Sequence, residues 1–142
     1  MSKIVCYLTQ IARCGGQYRN RRLEPWGIRA RQASLLLEIC ATPGISQDTL
    51  ARRIFLDKSV VARALANLEE QDLVERLTCQ KDRRVIRLHP TEKALEILPQ
   101  LQAVSAQWER HLTADMSPEE LTVLESLLTR LQVRAAQWED VE

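Results

Sequence analysis

The chain contains 142 residues, of which 45% are hydrophobic and 27% charged, values that fit a globular protein with a substantial core. No apolar run approaches the roughly 18 residues that a membrane-spanning helix needs. The first residues also lack the long apolar stretch and small-residue cleavage site of a signal peptide. We therefore expect a cytoplasmic protein without a membrane partner.

Charges are distributed unevenly along the chain, although the net charge is only +1. Residues 1–42 carry 7 Lys or Arg against 2 Asp or Glu, whereas residues 91–142 carry 4 against 10. This polarity suits one surface that faces an anion and another that faces a different partner, such as a second subunit. A surface that contacts only solvent can have the same charge totals, so the uneven distribution supports a partner but does not require one.

Two helices are predicted in the first third of the chain, over residues 3–22 and 30–41, because apolar residues recur there at spacings of three and four. The segment LEPWGI at 23–28 separates them, since proline and glycine interrupt helices. The apolar positions are Ile4, Val5, Leu8, Ile11 and Ala12 in the first helix and Ala33, Leu36, Leu37 and Cys40 in the second.

Two short helices with strong start signals follow. Ser46 is a favourable N-cap for a helix over 47–54, and Asp57 is one for a helix over 58–71. In both cases apolar residues stand at the two positions of a hydrophobic staple. Only the segment IFLD joins the two helices, and this arrangement predicts a helix-turn-helix.

The outward face of the second short helix is small, polar and basic, with no carboxylate before Glu69. Its residues are Lys58, Ser59, Ala62, Arg63, Ala66 and Asn67. A face without bulk or negative charge can lie against the major groove of DNA. A plain solvated face is the alternative, but such faces usually mix both signs, and we therefore favour a DNA-binding face.

A β-hairpin is predicted directly after this helix, because the β-prone runs at 73–78 and 83–89 are separated by CQKD. A helix-turn-helix followed by a hairpin is a winged helix, and the hairpin is its wing. We therefore expect a mainly α fold with a small β-hairpin wing.

Two further helices are predicted in the last third of the chain. Thr91 can cap a helix over 92–112, and a capping box begins at Ser117 for a helix over 118–138. The last helix carries leucines in a heptad-like pattern. Because the winged helix does not need the helices at the two ends of the chain, these favour an intermolecular bundle over packing within one chain.

Residues 46–94 resemble the winged helix of MarR-family transcription regulators. The matching segments are LARR, DKSVVAR with LANLEE, LVER, the D-x-R of 82–84, and TEKA, with spellings closest to the SlyA-like branch. The resemblance extends over nearly the whole chain, including MSPEEL near its end. Two departures are Asp72, where the family usually has glycine, and the additional Pro90.

The resemblance implies a homodimer that binds double-stranded DNA at a pseudo-palindromic, A·T-rich operator. It assigns residues 29–90 to the winged helix-turn-helix DNA-binding domain. The helix within 1–28 and the helices within 91–142 are assigned to dimerisation.

The resemblance also implies the DNA contacts. Arg84 of the wing enters the minor groove and Asp82 orients it, since a narrow minor groove attracts arginine. The matching contacts on the recognition helix are Ser59 and Arg63, with Lys58 and Asn67 nearby. Ala62 can offer its methyl group to thymine, and Lys81 and Arg83 suit phosphate contacts.

Two modes of control are considered. The resemblance implies a crevice that accepts a small aromatic or anionic ligand, for which Tyr18, Arg22 and Trp26 could supply stacking and a cation. The alternative is a cysteine-based redox sensor on the same fold, in which Cys6, Cys14 or Cys79 reacts. Inert thiols are the more common case for each of them.

An enzyme is not expected. The two histidines, His89 and His111, lie far apart in the sequence, and no Gly-rich phosphate loop, G-x-S-x-G or H-E-x-x-H motif occurs. The four cysteines form no C-x-x-C pair, so neither a disulfide framework nor a structural zinc site is expected. No cofactor or metal is predicted.

Overall fold

The computed structural model describes residues 2–140, which form a mainly helical fold with a small antiparallel sheet, as predicted. The helices are α1 (Ile4–Leu23), α2 (Ala30–Ala41), α3 (Gln47–Arg53), α4 (Lys58–Glu70), α5 (Glu92–Leu112) and α6 (Pro118–Ala135). The strands are β1 (Ile45–Ser46), β2 (Val74–Thr78) and β3 (Ile86–Pro90). Short 3₁₀ turns cover Glu24–Trp26 and Trp138–Asp140. Within residues 2–140, no helix is both long and apolar enough to cross a membrane.

The sheet has the order β1-β3-β2, and both strand pairs are antiparallel. Strands β2 and β3 form the predicted hairpin, while β1 was not expected from the sequence. Strand β3 also begins at Ile86 rather than at residue 83. The reason is a turn in which Val85 N–H donates to the Asp82 carbonyl at 3.0 Å and Cys79 N–H donates to the Val85 carbonyl at 2.8 Å.

Residues 1–108 form one compact unit, and its hydrophobic core lies between α2, α4, the sheet and α5. The buried side of α2 differs from the predicted one. Leu35 and Ile39 are fully buried with Leu36, whereas Leu37 and Cys40 are half-buried. Because α2 is surrounded by α1, α3, α4 and β3, more than one of its faces is covered.

Helix α1 continues through Gly15, which lies against α5. A Cβ atom on Gly15 would stand only 2.8 Å from Nε1 of Trp108, so glycine is needed for this approach. The apolar side chains of the N-terminal half of α1 remain at the surface, and they include Ile4, Val5, Tyr7, Leu8 and Ile11.

The two helices of the helix-turn-helix begin differently. Ser46 Oγ accepts a hydrogen bond from Thr49 N–H at 3.1 Å, as expected of an N-cap. Asp57 also stands at the N-cap of α4, but its carboxylate makes no capping hydrogen bond. The prediction for Asp57 is therefore correct in position and wrong in chemistry.

Both short helices end at a non-glycine residue in the left-handed region, Phe55 at φ 57° and Asp72 at φ 58°. At the end of α4, Asp72 N–H donates to the Glu69 carbonyl at 3.0 Å and Leu73 N–H donates to the Leu68 carbonyl at 2.9 Å. These two bonds form a Schellman motif. Asp72 thus adopts the left-handed conformation at the position where the family usually has glycine.

Residues 109–142 form a second unit that contains α6. The predicted capping box is present, since Ser117 Oγ accepts from Glu120 N–H at 3.1 Å and Ser117 N–H donates to Glu120 Oε1 at 3.0 Å. The helix ends at Ala135, three residues earlier than predicted. None of the residues of α6 is buried, and its exposed apolar side chains include Val123, Leu127, Leu128, Leu131 and Val133.

Candidate DNA-binding surface

Burial of one side of α4 places the opposite side at the surface. Val61, Ala64, Leu65 and Leu68 face the core, and Val60 is half-buried. The residues predicted to contact DNA lie together on the outward side, where Lys58, Ser59, Arg63 and Asn67 are exposed and Ala62 is half-buried. Lys58 is also engaged within the chain, because its Nζ lies 3.6 Å from Asp48 Oδ1.

The wing tip presents a second group of cations. Lys81, Arg83 and Arg84 are exposed, and Asp82 is half-buried between them. The Asp82 carboxylate accepts hydrogen bonds from Arg84 N–H at 3.1 Å, Arg84 Nε at 3.1 Å and Arg84 Nη2 at 3.3 Å. These bonds hold the pKa of Asp82 below its usual range. The Arg84 side chain is 90% exposed, so Asp82 restrains it without covering it.

The cysteines occupy different environments. Cys79 lies at the base of the wing tip, where hydrogen bonds from the backbone N–H groups of Asp82 and Lys81 lower the pKa of its thiol and Arg87 lowers it further. Burial raises the pKa of the Cys40 thiol. Cys6 and Cys14 are exposed on α1.

A cavity of about 720 Å³ lies beside α4, between the C-terminal end of α1, the N-terminal end of α2 and the turn before α4. Its lining contains four arginines and no carboxylate. The lining residues are Arg19, Asn20, Arg29, Ala30, Arg31, Gln32, Ser34, Ile54, Leu56, Val60, Arg63, Ala64 and Asn67. This set cannot be recognised in the sequence, because its members come from separate segments that only the fold brings together.

Arg19 is the most enclosed cation of this cavity. Its Nη1 donates to Ser34 Oγ at 3.0 Å and its Nε donates to the Gly15 carbonyl at 3.3 Å, and burial lowers its pKa. Both acceptors are uncharged, and a partly desolvated guanidinium is best stabilised by an anion. The cavity is thus suited chemically to a small anionic ligand.

The predicted ligand residues lie elsewhere. The Tyr18 ring centroid is 5.2 Å from that of Trp108, and the Arg22 guanidinium lies 5.0 Å above the Tyr18 ring. Trp26 is half-buried and packs against the hydrophobic core. The structure therefore brings Tyr18 and Arg22 together, but none of the three lines the arginine-rich cavity.

Among the described residues, no group of three or more His, Cys, Asp or Glu is arranged to hold a metal ion. The outward face of α4 and the wing tip instead present exposed cations, of which Lys58 pairs with Asp48 and Arg84 pairs with Asp82. This arrangement suits contact with an extended polyanion.

Comparison with known proteins agrees with this geometry. The MarR family model matches residues 26–85, which span the region from the first break to the wing. Over 143 aligned residues the chain is 27% identical to the uncharacterized HTH-type transcriptional regulator YybA of Bacillus subtilis (strain 168), and the alignment covers 100% of this chain and 95% of YybA.

Solved structures extend the likeness to the whole fold. The chain is 30% identical to MarR, with a TM-score of 0.84 and coverage of 99% of this chain and 97% of MarR. It is 25% identical to the transcriptional regulator SlyA, with a TM-score of 0.94 and coverage of 99% and 100%. A MarR mutant from E. coli, complexed with operator DNA, has a TM-score of 0.81 at 25% identity over 90% of this chain and 92% of that one.

The order of elements agrees with the family match over the helix-turn-helix and wing and with the 30% identity to MarR along the chain. Both likenesses also agree with the predicted class of function, which is regulatory rather than enzymatic. The chain belongs to the MarR family of winged helix-turn-helix transcriptional regulators.

Proposed function

We propose that this DNA-binding regulator acts in the cytoplasm as a homodimer on a pseudo-palindromic, A·T-rich operator. The observation that carries the proposal is the pairing of two cationic surfaces in one winged helix, the outward face of α4 and the wing tip with its restrained Arg84. The MarR mutant in complex with operator DNA supports it by analogy.

Helix α4 fits the major groove as the recognition helix. Arg63 can contact guanine with two hydrogen bonds or bind a phosphate, and Ser59 and Asn67 add polar contacts. Ala62 offers a methyl group that can meet the methyl group of thymine. Few of these contacts read bases, so the shape of the DNA contributes much of the specificity.

The wing fits the adjoining minor groove. A narrow A·T-rich minor groove has a strongly negative potential, and an arginine that is already oriented loses less entropy on entering it. Asp82 supplies this orientation through its three hydrogen bonds to Arg84. Lys81 and Arg83 stand beside the tip and can bind phosphates.

Dimerisation is proposed because two helices present apolar faces that nothing in the described chain buries. The N-terminal half of α1 exposes Ile4, Val5 and Leu8, and α6 exposes Leu127, Leu128 and Leu131. Contiguous exposed apolar surface marks an interaction site. A homodimer carries two recognition helices, which is the number that a pseudo-palindromic operator requires.

An effector is proposed for the arginine-lined cavity. Arg63 belongs both to the cavity lining and to the outward face of α4, so an anion bound inside competes with DNA for the same guanidinium. Calorimetric titrations with salicylate and with its uncharged analogue salicylamide test this proposal. Binding of salicylate alone, abolished by Arg19→Met, is the expected result, and equal binding of both compounds contradicts it.

A cysteine-based redox sensor is the second candidate. The position of Cys79 favours it, because the backbone N–H groups of Asp82 and Lys81 at the wing tip stabilise its thiolate. Mild peroxide followed by mass spectrometry identifies any oxidised thiol, and DNA binding of the treated protein is measured in parallel. Unchanged DNA binding after oxidation of Cys79 eliminates this candidate.

The proposed operator contact is tested by Arg84→Ala. We expect a loss of operator affinity of at least about 1 kcal/mol, the size of one good contact, in fluorescence-anisotropy titrations at fixed salt. Arg110→Ala removes an exposed arginine outside both cationic surfaces and serves as the control. Equal affinities of the two variants would exclude Arg84 from the interface.

A further inference from the structure

The C-terminal end of α4 is tied to three other segments by side chains. Arg76 of β2 donates to Glu69 through Nε and Nη2, each at 3.2 Å. Lys93 of α5 donates from Nζ to the Gln71 carbonyl at 2.7 Å. Gln71 Nε2 in turn donates to the carbonyl of Gly27, in the turn before α2, at 3.1 Å.

Termination of the helix does not require these bonds. The Schellman motif at Asp72 and Leu73 already satisfies the carbonyls of Glu69 and Leu68. The Glu69–Arg76 pair is bidentate, which fixes an angle as well as a distance. The hydrogen bond from Arg76 also lowers the pKa of Glu69.

The position of this pair within the wing has a geometric consequence. Arg76 lies two residues before the end of β2, opposite Leu88 of β3. Strand β1 pairs only with Arg87 and Leu88, so beyond Leu77 the wing consists of two strands. A two-stranded ribbon twists more strongly than a wider sheet, and the Glu69–Arg76 pair links the three-stranded base of this ribbon to α4.

We propose that Arg76 is a positioning residue that acts through Glu69 to fix the wing relative to α4, so that Arg63 and Arg84 engage adjoining grooves of one operator simultaneously. The inference rests on the proposed operator contacts. It assigns to Arg76 no contact with DNA. Because the pair already holds the wing in place, the wing can contact DNA without a further loss of conformational entropy when α4 docks.

A double-mutant cycle tests this coupling. In the otherwise unchanged chain, Arg84→Ala is expected to weaken operator binding about tenfold. In an Arg76→Met background, which keeps the apolar stem but removes the pair, the same change is expected to cost less than about threefold. The cost of Arg63→Ala is expected to be the same in both backgrounds, because α4 itself is unchanged.

Arg53→Met provides the matched control, since it removes an arginine whose ion pair with Glu38, at 3.8 Å, joins α3 to α2 rather than α4 to the wing. The full effect of Arg84→Ala is expected to persist in that background. The double variant Glu69→Arg with Arg76→Glu restores the pair with its charges exchanged, and we expect it to restore the tenfold effect. Glu69→Gln replaces Arg76→Met if the latter does not fold by circular dichroism.

The outcomes separate the two levels of the proposal. A full tenfold effect of Arg84→Ala in the Arg76→Met background overturns the positioning role alone. No effect of Arg84→Ala in the unchanged chain overturns the proposed operator contact and the positioning role with it. A reduced effect that the exchanged pair does not restore also overturns the role of the pair.

Discussion

Helices α2 and α6 both carry leucines at helical spacing, but their environments are opposite. In α2, Leu35, Leu36 and Ile39 are fully buried because four neighbouring elements enclose the helix. In α6, Leu127 and Leu128 remain 47% and 42% exposed. An amphipathic pattern therefore indicates that one face of a helix will be buried. The structure of the single chain shows whether that chain itself buries the face.

The largest expected effect tests the uncovered helix. Leu128→Glu places a carboxylate in the proposed subunit interface, where twofold symmetry makes each substitution count twice. At about 1.5–3 kcal/mol for each buried leucine, we expect the dimer dissociation constant to rise at least about 100-fold. Sedimentation equilibrium measures it, and operator affinity is expected to fall in parallel.

Ser126→Glu is the matched control for that substitution, because it adds the same charge on the opposite side of α6 at an exposed position. We expect it to leave the dimer intact. A monomeric unchanged chain at micromolar concentration, or equal dimerisation of the two variants, would show that α6 is not an interface.

The next prediction compares a buried leucine of α2 with an exposed leucine of α6. Leu36→Ala leaves a cavity in the core and is expected to lower the free energy of unfolding by about 3 kcal/mol. Leu127→Ala is expected to lower it by less than about 1 kcal/mol. Both are measured by urea unfolding in the Leu128→Glu chain, so that association does not contribute. A similar loss at both positions would contradict the comparison.

A smaller effect concerns the two N-caps within the packed region. Ser46→Ala removes an observed capping hydrogen bond and is expected to cost about 1 kcal/mol of unfolding free energy. Asp57→Ala removes only a carboxylate near a helix N-terminus and is expected to cost less than about 0.5 kcal/mol. Equal losses in urea unfolding would indicate that Asp57 also caps its helix.

The smallest effect concerns the left-handed residue at the end of α4. Asp72→Gly relieves the strain of φ 58° but increases the freedom of the unfolded chain, so a net stabilisation of at most about 1 kcal/mol is expected. Gly27→Ala is the reciprocal change at φ 66° and is expected to destabilise by about as much. Thermal unfolding measures both, and a lower melting temperature for Asp72→Gly would contradict the prediction.

Two charged segments show where prediction from the sequence ended. The segments EEQD at 69–72 and KDRR at 81–84 hold three and four charged residues, and neither composition shows which segment is tied to other parts of the chain. In the structure, the first is tied to Arg76, Lys93 and Gly27, whereas in the second the side chains of Asp82 and Arg84 bond to each other. The first segment therefore organises the winged helix, and the second remains available to a partner.

The sequence by itself determined the helices, the helix-turn-helix, the hairpin and the outward face of α4, because caps, apolar periodicity and turn residues act over only a few positions. Only the tertiary structure decided the presence of β1, the start of β3 at Ile86, the buried side of α2 and the cavity around Arg19. These features depend on contacts between residues far apart in the chain, such as Arg19 with Ser34 or Lys93 with Gln71. Local patterns carry no information on such contacts, since the energy that selects them arises only when separate elements pack together.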